Sequence, residues 1–119
     1  MVIDLIEVPI VKRQNLFDQG KQMLKSVRVG DWVVALDEQG KQLKSKDFAV
    51  KLENWRMMGG DISVLVGSAD GLDKSCLDRA NEKLSLSTLT FPHELVRVIF
   101  IEQLYRAWSI ISGHPYHRA

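Results

Sequence analysis

The stretch of sequence that decides the fold runs from residue 84 to residue 118 and reads LSLSTLTFPHELVRVIFIEQLYRAWSIISGHPYHR. It joins a loop rich in hydroxyl side chains, a long apolar segment, and a tail of imidazole, phenol and guanidinium groups. Pro92 suits the first turn of a helix and Gly113 suits the position after a helix end, which predicts a helix over residues 92–112. Apolar side chains cover most of its circumference, so we expect the sheet to cover one face and a partner subunit to cover the other.

Upstream of that stretch, short apolar segments alternate with helical ones. The predicted strands span residues 2–8, 32–36, 62–66 and 84–86, and the predicted helices span residues 15–27, 46–58 and 73 or 74 to about 82. We expect Ser45 to cap the second of these helices and a polar turn to occupy residues 37–41. Alternating strands and helices indicate an α/β domain with a mainly parallel sheet flanked by helices.

The composition fits one domain over residues 1–119, with 45% apolar residues available for a core. Sixteen Lys and Arg against fifteen Asp and Glu give a net charge of +1, so any nucleic-acid surface is a local patch. The single cysteine, Cys76, cannot form an internal disulfide, which fits a reducing compartment. No targeting segment or membrane span is recognisable, so we expect a cytoplasmic protein that does not enter a membrane.

The glycine-rich turn at residues 67–71 follows a predicted buried strand. Ligands of open parallel sheets bind at the carboxyl ends of the strands, so this turn is a candidate binding loop. It has neither the Lys-Ser/Thr pair of a phosphate loop nor the three-glycine spacing of a dinucleotide fingerprint. An ordinary tight turn explains it equally well, and a flavodoxin-like nucleotide-binding module is disfavoured.

The hydroxyl loop before the last helix has two compatible interpretations. Thr90 is a natural N-cap for a helix whose first turn holds Pro92. The loop backbone also offers donors and acceptors to an adenine ring, while Leu86, Leu89 and Phe91 enclose the faces of that ring.

The polar residues of the last helix and the tail also have simple explanations. Glu102 and Arg106 lie four residues apart, so a plain helical ion pair accounts for them without a function. The tail places ring and guanidinium side chains close together: His114, Tyr116, His117 and Arg118. Such groups stack on bases or contact phosphate, whereas a frayed terminus is the alternative. No Cys or carboxylate lies near the tail histidines, so we expect no metal site.

Two sets of short motifs run along nearly the whole chain. The denser set is LSLSxLTxPH at 84–93, VRV at 96–98, EQLYRA at 102–107 and PYH at 115–117. The sparser set is LIEVP at 5–9, KR at 12–13, ALD at 35–37, GK at 40–41, LVG at 65–67 and GL at 71–72. In these motifs the chain resembles the bacterial large-subunit ribosomal RNA methyltransferase H family, a branch of the SPOUT or α/β-knot methyltransferases.

The resemblance implies a homodimer whose subunits contain a deep trefoil knot, with the last helix and its preceding loop threaded through earlier chain. It also implies that the knotted loops hold S-adenosylmethionine. The residues that it implies for cofactor contact are Leu36, Gly67, Leu86, Ser87, Thr88, Leu89, Thr90 and Phe91.

The reaction that the resemblance implies is methylation of ring N3 of a pseudouridine in 23S ribosomal RNA of the assembled ribosome. Methyl transfer requires alignment of N3 with the methyl carbon and loss of the N3 proton. By family position and residue type, the candidates are His117 as base, Arg106 and Arg118 as charge partners, Tyr116 for stacking, and Glu102 to orient Arg106. His93 is a second-rank candidate. The tail of one subunit is expected to complete the pocket of the other.

The chain departs from the family pattern at two places. The family's usual Gly-Gly-Pro-Glu-Gly loop reads GSADG at residues 67–71. Family members also carry a further β-α unit, of roughly 30 or more residues, before the strand at residues 2–8. We expect its absence to expose two strand edges inside the sheet and to lower stability. The alternative function is therefore a catalytically inactive dimer that binds cofactor or RNA.

Overall fold

The computed structural model describes residues 1–7, 15–68, 70–87 and 91–113, without the side chain of His93. The strands are β1 (Ile3–Glu7), β2 (Trp32–Gln42), β3 (Ile62–Val66) and β4 (Glu82–Ser85). The helices are α1 (Leu16–Lys25), α2 (Ser45–Met58), α3 (Lys74–Arg79) and α4 (His93–Ser112).

The four strands form one sheet in the order β1-β3-β2-β4, and each neighbouring pair is parallel. β3 lies inside the sheet and every one of its residues is buried, as its unbroken apolar sequence predicts. The predicted α/β class, with a parallel sheet flanked by helices, is confirmed.

The core lies on both faces of the sheet because alternate residues of β2 point to opposite sides. Val34 and Leu36 pack with α2 and α4, where Phe48 stacks edge-on against Trp55 and Phe100. On the other face, Val33 and Ala35 pack with Met23 of α1 and Cys76 of α3. Burial also raises the pKa of the Cys76 thiol, which suits a packing residue.

Two predicted boundaries are wrong for the same reason. β2 continues through the predicted turn at 37–41, with an irregular register against β4 between Leu36 and Lys41. The predicted third helix ends at Arg79, and Glu82 instead begins β4, which ends at Ser85. In both places, pairing with a neighbouring strand overrides the local preference of polar residues for turns or helix.

The helix caps also differ from expectation. The N-cap of α2 is Lys44, with no side-chain cap hydrogen bond, and Ser45 is already helical. The N-cap of α4 is Pro92, so Pro92 lies one position before the predicted first turn, and Thr90, the predicted N-cap, lies outside the described residues. The end of α4 is as predicted, because Gly113 adopts a left-handed φ of 71°.

The expected pair of exposed strand edges inside the sheet is wrong. β1 pairs directly with β3 over five residues, from Ile3 opposite Ile62 to Glu7 opposite Val66, so the described sheet has no interior gap. The knot stays a prediction, because residues 88–90 of its loop and 114–119 of its tail lie outside the described residues. Across the described ranges, no helix is both long enough and apolar enough to cross a membrane.

Candidate active site

A cavity of about 270 Å³ lies at the carboxyl ends of β3 and β4, beside the middle of β2. We call it the first cavity. It is lined by Leu36, Asp37, Glu38, Val66, Gly67, Ser68, Asp70, Gly71, Leu72, Ser85, Leu86, Ser87, Phe91 and Val96. Four separate chain segments therefore contribute to one concave site.

The turn after β3 forms one wall of the first cavity, and its path requires glycine. A Cβ added to Gly67 would lie 2.5 Å from the carbonyl oxygen of Gly71, which is backbone and cannot swing away. The turn is closed by a 2.9 Å hydrogen bond that the Gly71 N–H donates to the Ser68 carbonyl oxygen. Gly71 itself has a φ of 88°, a conformation that L side chains rarely adopt.

The end of β4 and the loop after it form the opposite wall. The Ser85 hydroxyl donates a 2.8 Å hydrogen bond to the Ser87 carbonyl oxygen and so ties the start of the hydroxyl loop to the strand. β2 approaches closely here, since a Cβ on Gly40 would lie 2.8 Å from the Leu84 backbone nitrogen. This contact fixes the position of β4 relative to the end of β2.

Glu82, at the start of β4, is held by three donors from β2 and α2. Its Oε1 accepts hydrogen bonds from the indole nitrogens of Trp32 at 3.0 Å and Trp55 at 2.7 Å, and its Oε2 accepts one from Lys51 Nζ at 2.6 Å. Burial alone would raise the pKa of this carboxyl, but the donated hydrogen bonds outweigh burial and bring the pKa below its ordinary value. We call these four side chains the Glu82 clamp.

The lining of the first cavity combines apolar walls with acidic groups. Leu36, Leu72 and Phe91 offer apolar surface, whereas Asp37, Glu38 and Asp70 bring carboxylates to the same cavity. Such a lining suits a small ligand that has an apolar ring and a positive charge.

The structure brings together the predicted cofactor-contact residues that it describes. They line the first cavity from three chain segments: Leu36, Gly67, Leu86, Ser87 and Phe91. Thr88, Leu89 and Thr90 lie outside the described residues. Cofactor contact by any of them stays a prediction.

The sequence placed Ser68 and Asp70 in the candidate binding loop at residues 67–71, but it gave no role to several other lining residues: Asp37, Glu38, Val66, Leu72, Ser85 and Val96. Most of them lie directly beside residues that it did name. The carboxyl ends of the predicted strands were therefore the signal that could have found them.

The predicted catalytic residues are not all within the described part of the chain. Arg106 and Glu102 form a two-oxygen contact on α4, with Arg106 Nε at 3.1 Å from Oε1 and 3.2 Å from Oε2. Both side chains are about one-third exposed, and neither lines the first cavity. His117, Tyr116 and Arg118 lie outside the described residues, as does the side chain of His93.

Two further observations bear on the site. Arg97 Nε of α4 lies 3.5 Å from Glu7 Oε1 of β1. This ion pair joins the helix to the end of the edge strand. Within the described residues, no group of three or more His, Cys, Asp or Glu side chains is placed to hold a metal ion.

The parallel sheet and the cavity at its carboxyl edge define an α/β protein with a small-molecule site. The family described as "Predicted SPOUT methyltransferase" matches residues 3–117. The chain is 48% identical over 125 aligned residues to the ribosomal RNA large subunit methyltransferase H of Hahella chejuensis, covering 99% of this chain and 80% of that protein. The chain belongs to the SPOUT methyltransferase family.

Other relatives give the same result. The ribosomal RNA large subunit methyltransferase H of Alkalilimnicola ehrlichii is 48% identical, with 98% of this chain and 79% of that protein covered. The protein of the same name from Saccharophagus degradans is 45% identical, with 97% and 79% covered.

Proposed function

We propose that the protein is an S-adenosylmethionine-dependent methyltransferase that methylates N3 of a pseudouridine in large-subunit ribosomal RNA within the assembled ribosome. The observation that carries this proposal is the first cavity, where the middle of β2, the glycine turn after β3 and the hydroxyl loop after β4 converge. The relatives' names give the class of RNA.

The first cavity fits the methyl donor in chemistry and approximate size. Its volume of about 270 Å³ is close to the lower end of the range of roughly 300–1,000 Å³ that is typical of small-molecule sites. Leu36, Leu86 and Phe91 supply apolar surface for an adenine ring, and Asp37, Glu38 and Asp70 complement positive charge. When bound, the cofactor supplies a methyl group on a positively charged sulfur.

The protein's own task is then to position the RNA nitrogen and to remove its proton. We assign proton removal to His117, stacking on the target base to Tyr116, and stabilisation of the deprotonated imide to Arg106 and Arg118. The geometry of α4 supports one of these roles, because Glu102 contacts Arg106 through both carboxylate oxygens and so limits the orientations of the guanidinium.

The active form in this proposal is a homodimer with a knotted carboxyl-terminal segment, in which the tail of one subunit completes the first cavity of the other. Support comes from an exposed apolar stripe along α4 that comprises Leu95, Val98, Ile101, Tyr105, Trp108 and Ile111. Its members recur at three- and four-residue spacing, which places them on one helix face. A second copy of α4 would remove this face from water.

The proposal is tested by incubating the purified protein with radiolabelled S-adenosylmethionine and ribosomes whose large-subunit RNA lacks the methyl group. We expect label in the large-subunit RNA, and we expect mapping by reverse transcription to place it at a pseudouridine, because a methyl group on N3 blocks base pairing. Ribosomes that carry uridine in place of that pseudouridine are the matched control.

A separate calorimetric titration measures cofactor binding. Tight cofactor binding without methyl transfer to any ribosomal particle would contradict the proposed activity and favour the inactive binding dimer. Transfer to free RNA but not to ribosomes would contradict the proposed substrate state.

A further inference from the structure

A second cavity lies beside the first, and the proposed function places no ligand in it. It also measures about 270 Å³ and is enclosed by the end of β2, the start of α2, the end of β4 and the middle of α4. Its lining consists of Lys41, Leu43, Lys44, Ser45, Phe48, Leu84, Ser85, Leu86, Ile99 and Gln103. We call it the second cavity.

The two cavities are neighbours because they share a wall. Ser85 and Leu86 line both of them, so the end of β4 separates the two spaces. A flexible ligand that reaches into the first cavity therefore has the second cavity beside it.

The charges that line the two cavities have opposite signs. The first cavity carries Asp37, Glu38 and Asp70, whereas the charged side chains of the second cavity are Lys41 and Lys44. Both lysines are exposed. Among the described residues neither has an acidic partner within salt-bridge distance, unlike Lys51 and Lys74, which pair with Glu82 and Asp78.

Apart from the two lysines, the second cavity is lined mainly by apolar side chains, with one polar contact among its lining residues. Leu43, Leu84 and Ile99 line it, and the Ser45 hydroxyl donates a 3.5 Å hydrogen bond to the Gln103 side-chain oxygen between α2 and α4. A site with lysines at an exposed position and apolar walls suits a nucleotide, which presents a phosphate together with a flat base and a ribose.

From this arrangement we propose that the second cavity binds the RNA nucleotide next to the target nucleotide, with its phosphate at Lys41 and Lys44 and its base or ribose against the apolar wall. This inference rests on the proposed function and deepens it. The net charge of the chain is only +1, so the overall charge does not attract a polyanion. RNA binding therefore depends on local positive groups. The acidic groups of the first cavity repel phosphate, and the lysines lie on the far side of the shared wall.

The test uses a Lys41→Gln/Lys44→Gln double variant of the full chain. Both positions are exposed, so folding should be preserved, and a thermal melt checks this. The matched control is Lys46→Gln, since Lys46 is an exposed lysine in the first turn of α2, two residues after Lys44, but does not line the second cavity. Binding of a fluorescently labelled RNA hairpin, KM for ribosomes and cofactor Kd are measured for all three proteins.

We expect the double variant to weaken RNA binding and to raise KM for ribosomes by about tenfold at moderate salt, with a shallower dependence of RNA affinity on salt. Cofactor Kd should stay unchanged, and Lys46→Gln should resemble the wild type. The shallower salt dependence is the readout that a merely structural effect would not produce.

Two results would overturn the inference. RNA binding of the double variant equal to that of Lys46→Gln would show that the second cavity does not hold RNA. A parallel loss of cofactor affinity would assign the lysines to the methyl donor instead. If wild-type protein binds the hairpin through these lysines but transfers no methyl group, the proposed function fails while this inference stands.

Discussion

Gly67 is the residue at which the backbone of the first cavity has least freedom to change. In a Gly67→Ala variant, the added Cβ would lie 2.5 Å from the Gly71 carbonyl oxygen and 2.6 Å from the Gly71 carbonyl carbon. Because both neighbours are backbone atoms, the turn itself must shift. We expect cofactor affinity to fall by about tenfold or more, equivalent to about 1.4 kcal/mol of binding free energy, as measured by calorimetric titration.

The matched control for this change is Gly60→Ala. A Cβ at Gly60 would have a single neighbour, the Gly30 carbonyl oxygen at 4.0 Å, and Gly60 lies before the start of β3, at the end of the strand opposite Gly67. This variant should bind cofactor like the wild type, because Gly60 precedes β3 whereas Gly67 follows its carboxyl end. Equal cofactor affinity in the two variants would remove Gly67 from the cofactor site.

His117 is assigned to chemistry rather than to cofactor binding, and the two roles predict different measurements. His117→Ala should leave cofactor Kd unchanged and lower the methyl-transfer rate by about 10²- to 10⁴-fold, the usual contribution of a general base. His114→Ala is the control within the same tail. Undiminished transfer by His117→Ala in single-turnover assays would exclude His117 as the base.

The Glu82 clamp connects elements, because it joins the start of β4 to β2 and α2. Since the folded-state pKa of Glu82 lies below its ordinary value, the carboxylate stabilises the fold above the unfolded-state pKa of about 4.3. That stabilisation is lost as pH falls through the lower folded-state pKa. We expect Glu82→Gln to lower the free energy of unfolding by about 1–2 kcal/mol at neutral pH.

Chemical denaturation from neutral to acidic pH checks this prediction. The difference between Glu82→Gln and the wild type should shrink as pH falls below about 4.3, where Glu82 of the unfolded wild-type chain is protonated, and should vanish below the lower folded-state pKa. Asp78→Asn is the control, because Asp78 pairs with exposed Lys74 on the surface of α3. A difference that is constant with pH would show that the charge of Glu82 does not stabilise β4.

The same elements show what the sequence predicts and what it does not. Apolar runs such as Ile62–Val66 have a single stable placement, inside the sheet, and were correctly predicted as buried strands. Glu82 was placed at the end of the third predicted helix, whereas the donors that hold it in β4, Trp32, Lys51 and Trp55, are distant in sequence. Polar residues whose partners come from tertiary contacts give no local signal.

At the scale of the whole molecule, the candidate site follows from topology. Parallel pairing brings the carboxyl ends of β3 and β4 to one edge beside the irregular middle of β2, so the segments that resemblance marks for cofactor contact converge there. The sequence predicted these loops but not the acidic side chains Asp37 and Glu38. Those residues lie in the irregular part of β2, which the sequence predicted as a turn.

The exposed apolar stripe of α4 is tested at the scale of the whole molecule, because the proposed homodimer would cover it. Val98 lies within the stripe and its side chain is 57% exposed in the isolated chain. We expect Val98→Glu to weaken dimerisation by about a hundredfold or more, since a buried, unpaired carboxylate costs several kcal/mol. Analytical ultracentrifugation over a concentration series measures this effect.

Val50→Glu tests whether the effect is specific to the stripe. Val50 is a valine of similar exposure, 60%, but it lies on α2. If α4 forms the interface, Val50→Glu remains dimeric and active, whereas Val98→Glu becomes monomeric and loses methyl transfer because the partner's tail no longer completes the first cavity. A monomeric wild type, or a monomeric Val98→Glu with full activity, would contradict a shared site. In either case, each subunit would have to complete the first cavity with its own tail.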